Sequence, residues 1–282
     1  FFKEIRQDSL VNRASSLAYS FMLAVFPVII FLFTLIPYIP VKGFQDTLLN
    51  VIATILPNNA YLAFYSTIED IVKIHNFSLL SFGFLSALVF ATNGVNKLMR
   101  AFNKSSLVEE TRTWLKRRWI ALLLTILISF TLFVAIVILI IGQAVIDYIK
   151  SRFHSTALFW VYTIMFSRWI IVVALFFVTV SILYRYGPAN KRKWKFLNPG
   201  SILATSLAVF TSLGFSFYIN NFSSYNKIYG SIGTLIVVMI WLYLNSLIIL
   251  IGFELNASID LSKRTIKIVK PRYNTFRGSG TQ

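Results

Sequence analysis

The stretch GTLIVVMIWLYLNSLIILIGFELNA, residues 233 to 257, is an apolar run interrupted by few polar residues. About 20 such residues cross the hydrocarbon core of a bilayer as one α-helix. Several similar runs precede it, and 57% of the 282 residues are hydrophobic whereas 13% are charged. The runs are apolar throughout and do not alternate at period two, so they predict helices and not the strands of a membrane barrel. The chain is therefore expected to be an all-α, polytopic membrane protein.

Six transmembrane helices are predicted from these runs. They cover residues 14–39, 78–99, 119–142, 166–184, 200–218 and 230–256. Together they form one domain, residues 1–262, which a basic cytoplasmic tail follows over residues 263–282. The segment ALFWVYTIMF, residues 157 to 166, is compatible with an interfacial helix or with the outer part of a longer fourth span.

The longest connection, between the first and second spans, has helical periodicity of its own. Its apolar residues recur three or four positions apart in two groups. The first group is Phe44, Leu48, Val51, Ile52 and Ile55, and after Pro57 the second group is Tyr61, Tyr65, Ile68 and Val72. Two short amphipathic helices on the outer surface are the expected result.

The distribution of basic residues predicts the orientation. Of the 27 Lys and Arg residues, 21 lie before the first span, in the last turn of the second span or the connection after it, in the fourth-to-fifth connection, or in the tail. Because cytoplasmic segments of membrane proteins are enriched in Lys and Arg, both termini are expected in the cytoplasm. The net charge of +17 is divided among these segments, which favours topology and contact with anionic lipid over binding of nucleic acid.

The residues that metal or nucleophilic catalysis needs are scarce in this sequence. It contains no cysteine and two histidines, His75 and His154, each alone in a predicted outer connection. There is no glycine-rich phosphate loop and no GxSxG elbow. We therefore expect no metal site, no cofactor and no enzymatic activity.

Polar residues inside the spans form stripes at helical spacing. The second span carries Ser86, Asn93, Lys97 and Arg100 on one stripe, and the first carries Arg13, Ser16, Ser20, Ala24 and Pro27. The fifth carries Ser201, Thr205, Ala208, Ser212 and Ser216. Small residues of this kind commonly serve close helix packing. Charge inside a membrane needs a partner, an interface or a wet cavity. Asn93, Lys97, Arg100 and Arg13 are therefore a candidate site for an anionic headgroup, and the stripes of the first and fifth spans are expected to leave room for an acyl chain.

The sixth span carries polar residues on two faces. Trp241, Asn245, Gly252 and Asn256 share one face, whereas Glu254 and Tyr243 point to nearly the opposite side. Gly230 and Gly233 permit a close approach or a bent entry at its outer end. A helix with two polar faces is expected in the middle of the bundle.

Glu254 poses a specific question, because an unpaired carboxylate costs up to about 3 kcal/mol in a membrane-inserted helix. Arg100, Lys97 and Arg13 are predicted at the same level. Pairing is expected with Arg100 first and with Lys97 or Arg13 next. The alternative is that Glu254 reaches headgroup water.

Three stretches carry a family resemblance. They are LAYSFMLAVFPVII (17–30), YRYGPANKRKWKFLNPG (184–200) and YGSIGTLIVVMIWLYLNSLIILIGFELNA (229–257). Together they resemble the YihY/BrkB family of bacterial inner-membrane proteins. The resemblance implies a six-helix fold in the bacterial inner membrane. Family members have been labelled virulence factor or ribonuclease BN, and some have been linked to export of lipids or lipopolysaccharide precursors. It supplies no catalytic residues.

A transporter or exporter of a lipid or other amphipathic anion accounts for the polar stripes, for Glu254 within the sixth span and for the basic residues of the predicted cytoplasmic segments. The alternative is a non-catalytic membrane scaffold or a partner subunit of an envelope complex. The expected partners are membrane lipids, in particular anionic ones, and not nucleic acid. A homo-oligomer or hetero-oligomer is compatible with the sequence.

Overall fold

The computed structural model describes residues 9–38, 74–152, 158–189, 194–221 and 224–268. These residues form six α-helices and no strand, as the sequence predicts. The helices are α1 (Ser9–Leu35), α2 (Phe77–Ser105), α3 (Trp114–Arg152), α4 (Leu158–Tyr186), α5 (Pro199–Asn221) and α6 (Ser224–Ile268), and a short 3₁₀ turn, Ile36–Tyr38, follows α1. Each of the six is long and apolar enough to cross a membrane.

The helices are longer than the predicted spans. The fourth is one continuous helix from Leu158, so the segment before Arg168 belongs to a long span and is not a separate interfacial helix. The sixth continues to Ile268, beyond the predicted start of the tail. The two amphipathic helices predicted between the first and second spans lie outside the described residues.

Asparagine side chains define where two helices begin. The Oδ1 atom of Asn76 accepts a hydrogen bond from the backbone N–H of Leu79 at 2.9 Å, at the start of α2. Asn198 Oδ1 accepts from the N–H of Ser201 at 2.8 Å, at the start of α5. Pro199 follows Asn198 and has no N–H to leave unsatisfied. The NPG sequence therefore fixes the first turn of α5.

The packing places α6 among other helices, as its two polar faces predict. It contacts α1, α2 and α5, whereas α3 contacts α2 and α4.

We call the inner end of the bundle the end at which α2 finishes and α3 begins. There the rings of Phe102 and Phe253 stack with centroids 4.1 Å apart, and Tyr184 meets Phe253 edge-on at 5.5 Å. This aromatic cluster joins α2, α4 and α6.

Polar contacts hold two connections together beside this cluster. Arg112 pairs with Glu110 at 2.7 Å and donates a hydrogen bond to the carbonyl of Gly187 at 2.9 Å. Asn103 donates to Glu110 at 2.8 Å and accepts from the N–H of Ala189 at 2.7 Å. Burial raises the pKa of Glu110, but the hydrogen bonds and charge of Arg112 outweigh it and hold that pKa below its ordinary value. The α2–α3 and α4–α5 connections are therefore fixed to each other.

Candidate anion-binding site

A basic cleft of about 290 Å³ opens between α1 and α2 at the inner end. Its lining includes Arg13, Ser16, Lys97, Arg100, Ala101 and Lys104. Lys97, Arg100 and Lys104 are three or four residues apart on α2, so they lie on one stripe, and their side chains are exposed. The cleft thus contains three of the four residues predicted for a headgroup site. Lys104 was not predicted as a site residue, although it continues the same stripe by four positions.

Arg13 connects the cleft to the interior. Its Nη1 atom donates hydrogen bonds to Ser105 Oγ at 2.6 Å and to the Ala101 carbonyl at 3.2 Å. Its Nη2 atom lies 4.0 Å from Oε2 of Glu254, whose residue surface is only 5% exposed. Glu254 therefore has a basic partner, as expected, and does not reach headgroup water.

The predicted order of partners for Glu254 was wrong. Arg100 was ranked first, but the structure exposes its side chain in the cleft and pairs Glu254 with Arg13. Helical spacing correctly predicted that Lys97 and Arg100 share one face of α2. The choice of partner depends on α6 packing against α1, which spacing within one helix does not reveal.

Asn93 has a different place from the one predicted. It does not line the basic cleft, although it lies one turn of α2 from Lys97. Its Oδ1 atom accepts a hydrogen bond from Nη1 of Arg118 on α3. Arg118 belongs to the predicted second-to-third connection, whose basic residues predict only the orientation, because spacing within α3 does not show which helix Arg118 meets.

The opposite face of α6 makes a buried polar contact with α5. Asn256 Oδ1 accepts a hydrogen bond from the N–H of Gly200 at 2.8 Å, and its Nδ2 donates to Asn198 Oδ1. Gly252 lies against Gly200: a Cβ atom at residue 252 would be 2.5 Å from the Gly200 carbonyl oxygen. These residues set the α5–α6 crossing, so Asn256 is a structural residue, as predicted.

The remaining predicted polar residues of α6 have local roles. Asn245 Nδ2 donates a hydrogen bond to the Trp241 carbonyl at 2.8 Å, and the Trp241 ring packs against Phe215 of α5 with centroids 4.7 Å apart. Gly233 is buried. Gly230 lies within α6, and its surroundings are outside the described side chains.

The small-residue stripes are buried over only part of their length, because Ser16 lines the basic cleft and Ser212 and Ser216 are exposed. Ser20 and Ala24 of α1 are buried, and Ser201, Thr205 and Ala208 of α5 are buried as well. Ser201 donates its hydroxyl to the Asn198 carbonyl at 3.0 Å. The buried parts serve helix packing, which is the usual role of small residues in membrane helices, and room for an acyl chain along the exposed parts stays a prediction.

Metal-ligating residues do not cluster within the part of the chain that the structure describes. No group of three or more His, Cys, Asp or Glu residues comes together in those ranges. His75 packs edge-on against Tyr38, with ring centroids 4.8 Å apart. His154 lies outside the described residues.

Comparison with known proteins matches nearly the whole chain to one protein family. The family model described as virulence factor BrkB matches residues 1–273. The ribonuclease-like protein YfkH of Bacillus subtilis is 34% identical over 253 residues, which are 90% of this chain and 91% of that protein. A UPF0761 membrane protein of Tolumonas auensis is 24% identical, over 96% of this chain and 88% of its own length.

A further relative is longer than this chain. The UPF0761 membrane protein Smlt0865 of Stenotrophomonas maltophilia is 26% identical over 89% of this chain, which spans 58% of that protein. No solved structure matches. The family match over residues 1–273 agrees with the six apolar helices of the structure, and the chain belongs to the BrkB virulence-factor family.

Proposed function

We propose that this integral membrane protein transports or exports a lipid or another amphipathic anion across the bacterial inner membrane. The basic cleft is the observation that carries the proposal. Arg13, Lys97, Arg100 and Lys104 share a space of about 290 Å³, and no acidic side chain is among the described residues that line it. A cleft lined by one sign of charge concentrates ions of the opposite sign. A bound phosphate or carboxylate also relieves the repulsion between the four cations.

The position of the cleft favours an amphipathic ligand over a free ion. It lies at the end of two membrane-spanning helices, where headgroups meet hydrocarbon. Ser16 and Leu17 continue its wall along α1. An anion with an apolar part can place its charge among the four cations and leave its chain in the bilayer.

Lipid movement in vesicles tests this function directly. The purified chain is reconstituted into vesicles that contain a fluorescent phosphatidylglycerol, and its movement between leaflets is followed by quenching from outside. We expect faster movement than in empty vesicles, and several-fold slower movement with Lys97→Ala. Lys116→Ala is the matched control, because Lys116 is also exposed and near the inner end but lies outside the cleft.

A folded protein that moves neither phosphatidylglycerol nor other anionic amphiphiles would contradict the proposal. The scaffold alternative would then be favoured, in which the cleft binds lipid without moving it. Equal rates for Lys97→Ala, Lys116→Ala and the unchanged chain would show that movement does not depend on the cleft.

We also propose that the protein is not an enzyme, including for RNA, despite the name of its Bacillus relative. The purified chain should leave RNA intact with Mg²⁺, Mn²⁺ or Zn²⁺ present. Metal-dependent hydrolysis of this kind needs clustered His and carboxylate ligands, and the described residues bring no three of them together. Gel analysis of a labelled RNA is the measurement. Cleavage that is lost on changing a residue of this chain would refute the prediction.

Both termini are proposed to lie in the cytoplasm, on the basis of the division of Lys and Arg. The sequence has no cysteine, so single introduced cysteines report topology without background. Leu107→Cys, in the exposed α2–α3 connection, should react only with membrane-permeant reagents in intact cells. Ile74→Cys, before α2, should react with impermeant reagents. The reverse pattern would invert the orientation.

A further inference from the structure

A second opening, which we call the α2–α3 groove, lies outside the basic cleft. Its volume is about 450 Å³, within the range of roughly 300–1,000 Å³ that is typical of small-molecule sites. Its apolar wall comes from Leu88, Val89, Leu115, Leu122 and the rings of Trp114 and Trp119. Tryptophan is enriched where headgroups meet hydrocarbon, so this wall suits a molecule that is partly in each region.

Arg118 provides the single charge among the described residues that line the groove. Its Nη1 atom donates to Asn93 Oδ1, and its guanidinium carbon lies 5.7 Å from the centre of the Trp114 ring. A guanidinium has five N–H donors. Those on Nε and Nη2 find no acceptor among the described residues. Asn93 and Trp114 therefore hold the guanidinium in place while donors remain for a ligand.

Thr92 provides an independent indication that a ligand belongs here. It lines the groove, is 8% exposed, and its hydroxyl makes no hydrogen bond within the described residues. Threonine in a helix usually bonds its hydroxyl to a carbonyl of the preceding turn, and a buried hydroxyl without a partner is unfavourable. An acceptor in the groove would satisfy it, because threonine has two accessible χ1 rotamers in a helix.

The direction of the groove also matches a lipid. Arg118 is in the second turn of α3, near the inner end, and Leu122 follows one turn deeper. On α2, Leu88 and Val89 lie one turn farther from the inner end than Thr92 and Asn93. The apolar wall thus continues from the charge toward the middle of the membrane, which is the path of an acyl chain below its headgroup.

We propose that the α2–α3 groove binds one glycerophospholipid. Arg118 binds the phosphodiester, the Thr92 hydroxyl donates to an ester oxygen of the glycerol backbone, and one acyl chain lies along the apolar wall. One cation matches the single negative charge of a phosphodiester, so the lipid needs no net charge. The site differs in this from the basic cleft with its four cations, and it holds whether or not the protein moves lipid across the membrane.

Native mass spectrometry of the full chain in detergent tests the site, with phosphatidylethanolamine as the probe. This zwitterionic lipid separates the groove from the cleft, which is expected to prefer net anions. We expect stoichiometric binding that Arg118→Gln weakens about tenfold or more, since a hydrogen bond to a charged group contributes about 1.5–3 kcal/mol. Lys116→Gln removes the same charge two residues away, outside the groove, and should leave binding unchanged.

Two further variants keep the test informative if Arg118→Gln does not fold. Val89→Trp fills the groove from its exposed wall and keeps the Arg118–Asn93 contact, so it should weaken binding at least as strongly as Arg118→Gln. Thr92→Val removes the unpartnered hydroxyl, so it should weaken lipid binding without lowering stability in lipid-free detergent. The proposal is overturned if phosphatidylethanolamine binds equally to Val89→Trp and the unchanged chain. It is overturned equally if diacylglycerol, which lacks the phosphate, binds as strongly as phosphatidylethanolamine.

Discussion

Replacing Gly252 with valine should strongly destabilise the folded bundle. A Cβ atom there would lie 2.5 Å from the Gly200 carbonyl oxygen, 2.5 Å from the Tyr184 hydroxyl and 2.7 Å from Ala204 Cβ. The Gly200 contact is with backbone, so no rotamer change relieves it. The added side chain would also displace the Tyr184 hydroxyl, which would then lose the hydrogen bond that it donates to the Ile249 carbonyl at 2.7 Å. Overpacking alone costs about 1–3 kcal/mol, and the lost hydrogen bond about 1 kcal/mol more.

Gly214→Val is the matched control, since Gly214 is in α5 and a Cβ atom there meets nothing within 4 Å. It should stay folded. Alanine variants at the same two positions give a second comparison, because replacing glycine with alanine in a helix with open space normally stabilises the protein by about 0.5–1 kcal/mol. Gly214→Ala should therefore be neutral or stabilising, whereas Gly252→Ala destabilises. The measurement is the monodisperse fraction after heating in detergent, read by size exclusion. Equal melting of the two valine variants would contradict the α5–α6 crossing.

Arg13→Ala should cost about 3 kcal/mol, the lower end of the usual effect of leaving one member of a buried ion pair alone, because Arg13 itself is only partly buried. Glu254 would lose the cation 4.0 Å away, and its Oε2 atom has no hydrogen-bond donor among the described residues. The double change Arg13→Ala with Glu254→Gln should recover much of the loss, because it removes the unpaired charge as well. Unfolding in a denaturing detergent gives the free energies.

Lys97→Ala is the control for Arg13, because it also removes a cation from the cleft but from an exposed position. Surface changes of this kind stay within about 0.5 kcal/mol. A double-mutant cycle on Arg13 and Glu254 then isolates their coupling. If Arg13→Ala and Lys97→Ala were equally stable, or if the cycle showed no coupling, Glu254 would not depend on Arg13.

Most of the helical architecture was predictable because length and apolar composition determine what can span a bilayer. Each predicted span overlaps one of the six helices, although hydropathy underestimates the length of helices such as α3 and α6. The stripe of Lys97 and Arg100 was also predictable, since helical spacing defines faces.

Contacts between helices were predictable only in part. Spacing within α2 shows that Asn93 and Lys97 share a stripe, but not that Asn93 meets Arg118 of α3 while Lys97 lines the cleft beside α1. Spacing within α6 likewise predicts the depth of Glu254 in the membrane, but it does not show that Arg13 of α1 is the neighbouring cation. Such pairings depend on how the helices are arranged around one another, and six apolar helices of similar length leave many arrangements open.

An electron cryo-microscopy map of the full chain in a phosphatidylglycerol nanodisc tests the anion-binding cleft most directly. We expect headgroup density within hydrogen-bonding distance of Lys97 and Arg100, between α1 and α2, and loss of that density in the Lys97→Ala, Arg100→Ala double variant. A well-resolved map in which the cleft holds only water, while lipids surround the outer faces of the helices, would contradict the assignment of the cleft to an anionic amphiphile.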